Sequence, residues 1–440
     1  MGKPVKCMIL LLLAALLLSG CMRTVDEMYY PPKRSEDYKD LQSAIEGAMS
    51  GLEYCAPLSG ENQQAVQNAD LNGDGEPEYL LFAKGVSERP LRILVFQEIE
   101  EKYVHVQTIE STGAAFEQVE YARLDDRGGV EIVVGSQVAD QVVRSVSVYT
   151  FDSDMQVSTL VTTNYSKFLT VDLDEDGLVE LFLLRPGQTD ADRGIAELYG
   201  MENGILERSN EINMSESSDR LKRIIVGKLH DGETAVYVAS TVGDTALITD
   251  VYTCVDGMLE NVTFSNESGT SVMTMRNYYV YADDIDSDGI VELPVLITMK
   301  PMGNANSPDR HDLIRWYAMK VDGSEVDKMY TYHNFVGGWY LELDDQWATR
   351  LTVVQQGNAY EFHVWNTDFT DTDKILTITV QNNQHRTTYS EEETEFAVYT
   401  TESLTYWVTM SEHASDYGIT RDTLTRRFHL IQRDWKTGET

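Results

Sequence analysis

The chain has 440 residues, 42% of them hydrophobic, and a formal charge of −37, which is long enough for two or three domains. So acidic a balance argues against nucleic acid as a partner, because phosphates would be repelled, and it keeps the body of the protein off an anionic membrane. Only the N-terminus carries a long apolar run, and cysteine usage is sparse, four in all.

At the N-terminus Lys3 and Lys6 precede an apolar stretch from Met8 to Leu18, followed by Ser19, Gly20 and Cys21. The stretch has the length of a secretory h-region and is too short to cross a bilayer. Leu18-Ser19-Gly20-Cys21 resembles the lipobox of bacterial lipoproteins. That resemblance implies a signal peptide over 1–20, a diacylated Cys21 as first residue of the mature chain, and a location on the outer face of the cell membrane. Two acyl chains suffice for stable anchoring. Loss of Lys3 and Lys6 with the signal takes the formal charge from −37 to −39. Cys55 and Cys254 remain, and a disulfide between them is permitted outside the cytoplasm but not favoured by spacing.

Residues 21–34, with Pro31-Pro32-Lys33-Arg34, read as a polar tether. A short amphipathic helix is predicted over 35–51, capped by Ser35, with Leu41, Ile45 and Met49 on one face and Gly51 as its stop.

From residue 63 the pattern becomes strand-like and repeats. Asp70-Leu-Asn-Gly-Asp-Gly-Glu-Pro-Glu78, Asp172-Leu-Asp-Glu-Asp-Gly-Leu-Val-Glu180 and Asp284-Ile-Asp-Ser-Asp-Gly-Ile-Val-Glu292 share one template. Two worn copies lie between them. One, Arg123–Glu131, keeps the final Glu but has Arg123 and Arg127 at ligand positions; the other, Lys228–Val236, is shortened and has lost its carboxylates. The copies start at 70, 123, 172, 228 and 284, a period in the propeller and array range. Each period holds four predicted strands, with Asp256-Gly257 and Asn203-Gly204 as hairpin turns. The predicted fold is therefore mainly β: a five-bladed β-propeller of four-stranded blades over 63–336. A smaller α+β or sandwich-like domain is predicted over 338–440. Strands are expected there at Leu351–Gln356, Tyr360–Trp365, Ile375–Val380, Phe396–Thr400 and Leu404–Met410. A closing helix from Thr420 would align Leu424, Phe428 and Ile431. Five of the six tryptophans (Trp339, Trp347, Trp365, Trp407, Trp435) fall in this last stretch.

In the template, side-chain oxygens recur at positions 1, 3 and 5, a Gly at 6 permits a sharp turn, position 7 offers a carbonyl and a carboxylate at 9 completes the shell. Such a set suits Ca²⁺, which takes six to eight oxygens at about 2.3–2.6 Å in flexible geometry, better than Mg²⁺. An EF-hand is excluded, because position 12 is Leu81, Leu183 or Val295 and the flanks are strand-like. The loops resemble those of FG-GAP and VCBS repeats, the calcium-binding blades of integrin-type propellers. Carried over residue by residue, that resemblance implies Asp70, Asn72, Asp74 and Glu78; Asp172, Asp174, Asp176 and Glu180; and Asp284, Asp286, Asp288 and Glu292 as side-chain ligands. Glu76, Leu178 and Ile290 would add carbonyls. About three structural Ca²⁺ sites are thus expected, and in the second and fourth copies the arginines or a shortened turn would replace the ion. The chain as a whole, including Tyr54–Gly60 and Gly338–Leu343, resembles lipoproteins with VCBS-type repeats from Clostridia and related Gram-positive bacteria.

No catalytic spacing stands out: no His-Glu-x-x-His, Gly-x-Ser-x-Gly, Ser-x-x-Lys or phosphate-binding loop occurs. The expected role is a surface binding, adhesion or envelope-scaffold module for a protein or glycan, with loops or exposed Trp and Tyr as the contact surface. The alternative is a hydrolase of wall or extracellular polysaccharide.

Overall fold

The computed structural model describes residues 36–138, 144–189, 192–277, 280–302, 311–383 and 392–431. The signal and tether over 1–34 with Cys21, the Ser35 cap and Trp435 lie outside the described residues.

The described chain is mainly β, arranged as six antiparallel sheets in chain order. Sheets 1 to 5 span 52–111, 115–165, 167–213, 221–261 and 292–343, and sheet 6 spans 351–410. Sheets 2, 3 and 4 are four-stranded meanders. Sheet 1 has Leu52–Tyr54 and Val66–Ala69 side by side along Glu78–Gly85. Every predicted loop copy leads into the strand that starts at Glu78, Glu131, Glu180, Thr234 or Glu292.

Local chemistry explains the turns. Asn203 and Gly204 sit at φ 52° and 78°, and Asp256 and Gly257 at 50° and 75°. These are the two left-handed residues of a tight hairpin turn, and they set the pairs Glu202↔Ile205 and Val255↔Met258.

Strand alternation gives each sheet two apolar faces, and consecutive sheets share them. Phe82, Ile93 and Val95 of sheet 1 cluster with Phe116, Ile132 and Val134 of sheet 2. Val133 and Val148 of sheet 2 meet Phe168, Leu181 and Leu183 of sheet 3. Phe182 and Leu184 of sheet 3 meet Val236, Val238 and Tyr252 of sheet 4, and Tyr237 and Val251 of sheet 4 meet Leu293 and Tyr317 of sheet 5. The far face of sheet 1 (Leu81, Ala83, Leu94, Phe96) is covered by helix Glu36–Ala48 through Leu41 and Ile45. Among the described residues no apolar cluster joins sheet 5 back to sheet 1. No described helix is long and apolar enough to cross a membrane.

The C-terminal part departs from expectation in two ways. Sheet 5 takes its fourth strand, Trp339–Leu343, from beyond the predicted boundary at 336–338. The closing helix is only Arg421–Arg427, capped by Thr420, and Phe428–Leu430 becomes a fifth strand pairing with Trp339–Leu341. Sheet 6 therefore shares one core with the outer strands of sheet 5. Trp316, Trp339, Trp347, Trp365 and Trp407 are all buried, the core-packing role that is the commoner one for such residues.

Candidate metal centres

Four of the five loops close by the same device. The Glu at position 9 is buried, and one of its carboxylate oxygens accepts the amide of position 2: Leu71 N to Glu78 at 2.8 Å, Leu124 N to Glu131 at 3.0 Å, Leu173 N to Glu180 at 2.8 Å and Ile285 N to Glu292 at 3.1 Å. Within the loops, the amide of position 6 donates to the Asp at position 1 in Asp70, Asp172 and Asp284. The amides of Glu76, Leu178 and Ile290 donate to Asp74, Asp176 and Asp288 at 2.8, 2.8 and 2.9 Å. Backbone bonds also link neighbouring loops: Val130 N to Asp70 O at 3.0 Å, Val179 N to Arg123 O at 3.0 Å and Val291 N to Lys228 O at 3.1 Å. Gly129 permits the first of these contacts, since a Cβ there would lie 2.4 Å from Leu71 O.

What differs between loops is the partner of the second Glu oxygen. In the first it is the Gln97 amide, at 3.4 Å from Glu78. In the second that oxygen is shared by the Thr150 hydroxyl, which donates to Glu131 at 3.0 Å, and the loop's own Arg127 at 3.4 Å, whose guanidinium also reaches Asp125 and Thr150. In the fourth, Lys228 and Thr234 instead hold Glu175 of the third loop. In the fifth, Lys328 of the strand Glu325–Asn334 lies over Asp288 and within 4 Å of Asp286 and Glu292. In the third, no described side chain hydrogen-bonds that oxygen.

Two triplets bring one ligand atom each to within 4.8 Å of one another: Asp172, Asp174 and Glu180, and Asp284, Asp286 and Glu292. Either could hold a metal ion. Asp70, Asp74 and Glu78 do not form such a triplet, and the fifth-position carboxylates Asp176 and Asp288 stand outside the two that do. Asn72 turns its amide to Asp74 at 3.1 Å.

The electrostatics favour a cation most at the third loop. Burial, and then the charges of Asp174, Asp172 and Asp176, push Glu180 up to about 7 against a stabilising Leu173 amide. Glu292 is pushed up to about 7 by burial and Asp286, with Lys328 opposing. Asp174 and Asp286 are also raised, mainly by burial, whereas Asp288 is lowered by Lys328. Asp172 Oδ1 and Glu292 Oε1 are buried without a hydrogen bond. An all-oxygen, carboxylate-rich set with buried oxygens to spare fits a hard divalent cation such as Ca²⁺.

A cleft of about 360 Å³ opens beside the third loop, lined by Asp174, Asp176, Glu180, Arg208, Ser209 and Cys254. A second, of about 460 Å³, lies beside the first loop and is lined by Asp74, Glu78, Glu98, Glu100, Glu101 and Tyr103. Cys55 and Cys254 are both free thiols, and burial and then Asp174 push Cys254 up to about 11. Sequence reasoning did not find Lys328, Ser209 or Cys254 near these loops, because they come from strands distant in the chain.

No protein-family model matches the chain, and no curated protein sequence matches it. Among solved structures it is similar to the exotype rhamnogalacturonan lyase YesX, at 11% identity over 74% of this chain and 65% of that one, with a TM-score of 0.26. It is also similar to Saccharomyces cerevisiae Sqt1, at 10% identity over 80% and 86% of the two chains and a TM-score of 0.28. An exo-beta-1,3-galactanase from Phanerochaete chrysosporium gives 11%, 75%, 79% and 0.25 in the same order.

Proposed function

We propose that the protein is an extracytoplasmic lipoprotein, tethered through Cys21, that presents a cation-stabilised binding module to a protein or glycan partner. Its five N-terminal sheets act as the blades of an FG-GAP/VCBS-like propeller-type array, with Ca²⁺ as a structural pin. The observation that carries this reading is the third loop. It gathers Asp172, Asp174 and Glu180 and holds Glu180 buried with its pKa raised to about 7. Among the described residues no lysine or arginine pairs with these three carboxylates, Lys228 being engaged on Glu175 instead.

Structural pinning follows from magnitude. At about 1 mM Ca²⁺ a site of Kd about 10⁻⁴–10⁻³ M adds roughly 0.4–1.4 kcal/mol by mass action. Because backbone bonds run between neighbouring loops, an ion in one loop stiffens the seam between two sheets. Chelation with EGTA is expected to lower the melting temperature by a few degrees, about 1–5 °C. Glu180→Gln, which keeps an acceptor for the Leu173 amide, should remove most of that difference. A melting temperature unmoved by EGTA would refute the reading.

The anchor is tested separately. Cys21→Ser is expected to move the protein from the membrane to the soluble fraction, and full retention on membranes would sink the assignment. The alternative, a hydrolase of extracellular polysaccharide, would need an acidic pair in a cleft free of structural duty. Of the carboxylates lining the two acidic clefts, Asp174, Asp176, Glu180, Asp74, Glu76 and Glu78 belong to the loops, while Glu202, Glu207, Glu98, Glu100 and Glu101 do not.

A further inference from the structure

Four sheets share an irregularity. Where the second strand after the loop pairs with the third, one extra residue is inserted into the third. It is Val106 between Val95↔Gln107 and Phe96↔His105, and Leu160 between Val148↔Val161 and Tyr149↔Thr159. It is Ser209 between Leu198↔Asn210 and Tyr199↔Arg208, and Lys328 between Trp316↔Met329 and Tyr317↔Asp327. A bulge of this kind re-aims the inserted side chain. In every case it stands on the sheet face that carries the loop's closing Glu. Val106 packs against the cluster that holds Leu80, two residues beyond Glu78, and Leu160 against the one that holds Val133, two beyond Glu131. Ser209 lines the cleft with Glu180, and Lys328 reaches Glu292. The repeat thus has a fixed position from which a side chain can address the ion loop, and its occupant differs from sheet to sheet.

In sheet 3 the occupant is a serine, and a cleft opens over the loop. In sheet 5 it is a lysine with a side chain only 15% exposed. Its Nζ contacts Asp288 and lies 3.9 Å from Asp286 Oδ2 and 3.7 Å from Glu292 Oε1. Glu292 is fully buried, and that oxygen has no hydrogen bond. An ion seated among Asp284, Asp286 and Glu292 would therefore share its carboxylates with an ammonium a few ångströms away, and the two like charges repel.

We infer that Lys328 is a tethered cation that holds the fifth loop closed to divalent ions, so that this loop takes calcium only when the ammonium is displaced. The inference rests on the proposal that these loops are cation sites, and it makes the third loop the principal one. The second loop is the permanent version of the same arrangement, with Arg127 supplied by the loop itself.

Calcium alone, titrated calorimetrically into the full chain in detergent, tests it. Lys328→Ser, which installs the residue of sheet 3, is expected to bind one more calcium than the wild type, with the fifth loop tightened about tenfold or more. Lys328→Arg should gain nothing, and the extra equivalent should vanish in Lys328→Ser/Asp286→Asn. Lys328→Met provides a second uncharged variant should serine weaken the sheet, with a melting curve as the check on folding. If the wild type fills the fifth loop as tightly as the uncharged variants, or if those variants gain no equivalent, the inference is overturned. The parent proposal is read independently by Asp174→Asn, which should cost the wild type one equivalent whatever happens at the fifth loop.

Discussion

Replacing Trp339 by alanine is expected to lower the unfolding free energy by about 3–5 kcal/mol, the range for removing a fully buried large aromatic. Trp339 is wholly buried on the fourth strand of sheet 5. It stacks on Phe428 at 5.5 Å between ring centroids, meets Tyr360 edge-on at 5.7 Å, and lies 5.6 Å from Tyr332. These contacts join three things: the outer edge of sheet 5, the returning strand Phe428–Leu430, and sheet 6. A cavity here could not be refilled by one element moving, because all three would have to shift together. The wild type should accordingly lose tryptophan fluorescence and far-ultraviolet dichroism in one coincident urea transition across sheets 5 and 6. Trp339→Ala should shift that transition to much lower urea. A loss below about 1 kcal/mol, or an early separate transition of sheet 6 in the wild type, would show that the shared core is not what couples them.

That coupling is also where sequence reading stopped. Leu424, Phe428 and Ile431 have helical spacing, yet the helix ends at Arg427 because Phe428 is drawn into strand geometry by its place beneath Trp339 and Tyr406. Local periodicity cannot see such a tertiary contact. By contrast, strands rich in β-branched and aromatic residues and bounded by turns were legible to the residue: Leu351–Gln356 and Leu404–Met410 have the predicted bounds. The loops at 172 and 284 were legible as acidic clusters, since oxygen spacing and Gly177 or Gly289 determine a turn without help from elsewhere. The first loop shares the spacing but does not gather its carboxylates, with Asn72 engaged on Asp74. Lys328 was invisible for a different reason. A bulge inverts the alternation of its strand, so a two-residue period places Lys328 on the wrong face. Aligning the third strand after each loop, where Val106, Leu160 and Ser209 are uncharged, would have exposed it. The helix over the far face of sheet 1 was legible as an amphipathic segment, but not that it occupies the surface a closed ring would need.

Acid should destabilise the protein through His333, by about 2 kcal/mol between pH 6.5 and pH 5. His333 lies on the strand Glu325–Asn334, 8% exposed, stacked on Tyr340 at 4.9 Å and near Trp316 and Phe335. Burial lowers its pKa from 6.5 to about 3. Above pH 6.5 both folded and unfolded chains hold a neutral imidazole, so its contribution is fully present. As the pH falls below 6.5 the unfolded chain takes a proton that the folded chain refuses, and stability is lost progressively until about pH 3. The neighbouring charges are His311 and Asp312, which line the same small cleft, and His429, which stacks on Tyr340 and contacts Glu342 at 2.6 Å. The buried carboxylates act in the opposite sense. Glu180 and Glu292 are raised when ion-free, so their contribution is present below about pH 4.5 and lost as the pH rises through about 7. The two effects separate in a comparison of the wild type with His333→Phe at fixed calcium, because the carboxylates are common to both. Urea unfolding at pH 7, 6 and 5 should show the wild type losing about 2 kcal/mol more than the variant over that span. Parallel curves would mean that the imidazole finds its proton in the folded state, and that the aromatic face of sheet 5 is wetter than its packing implies.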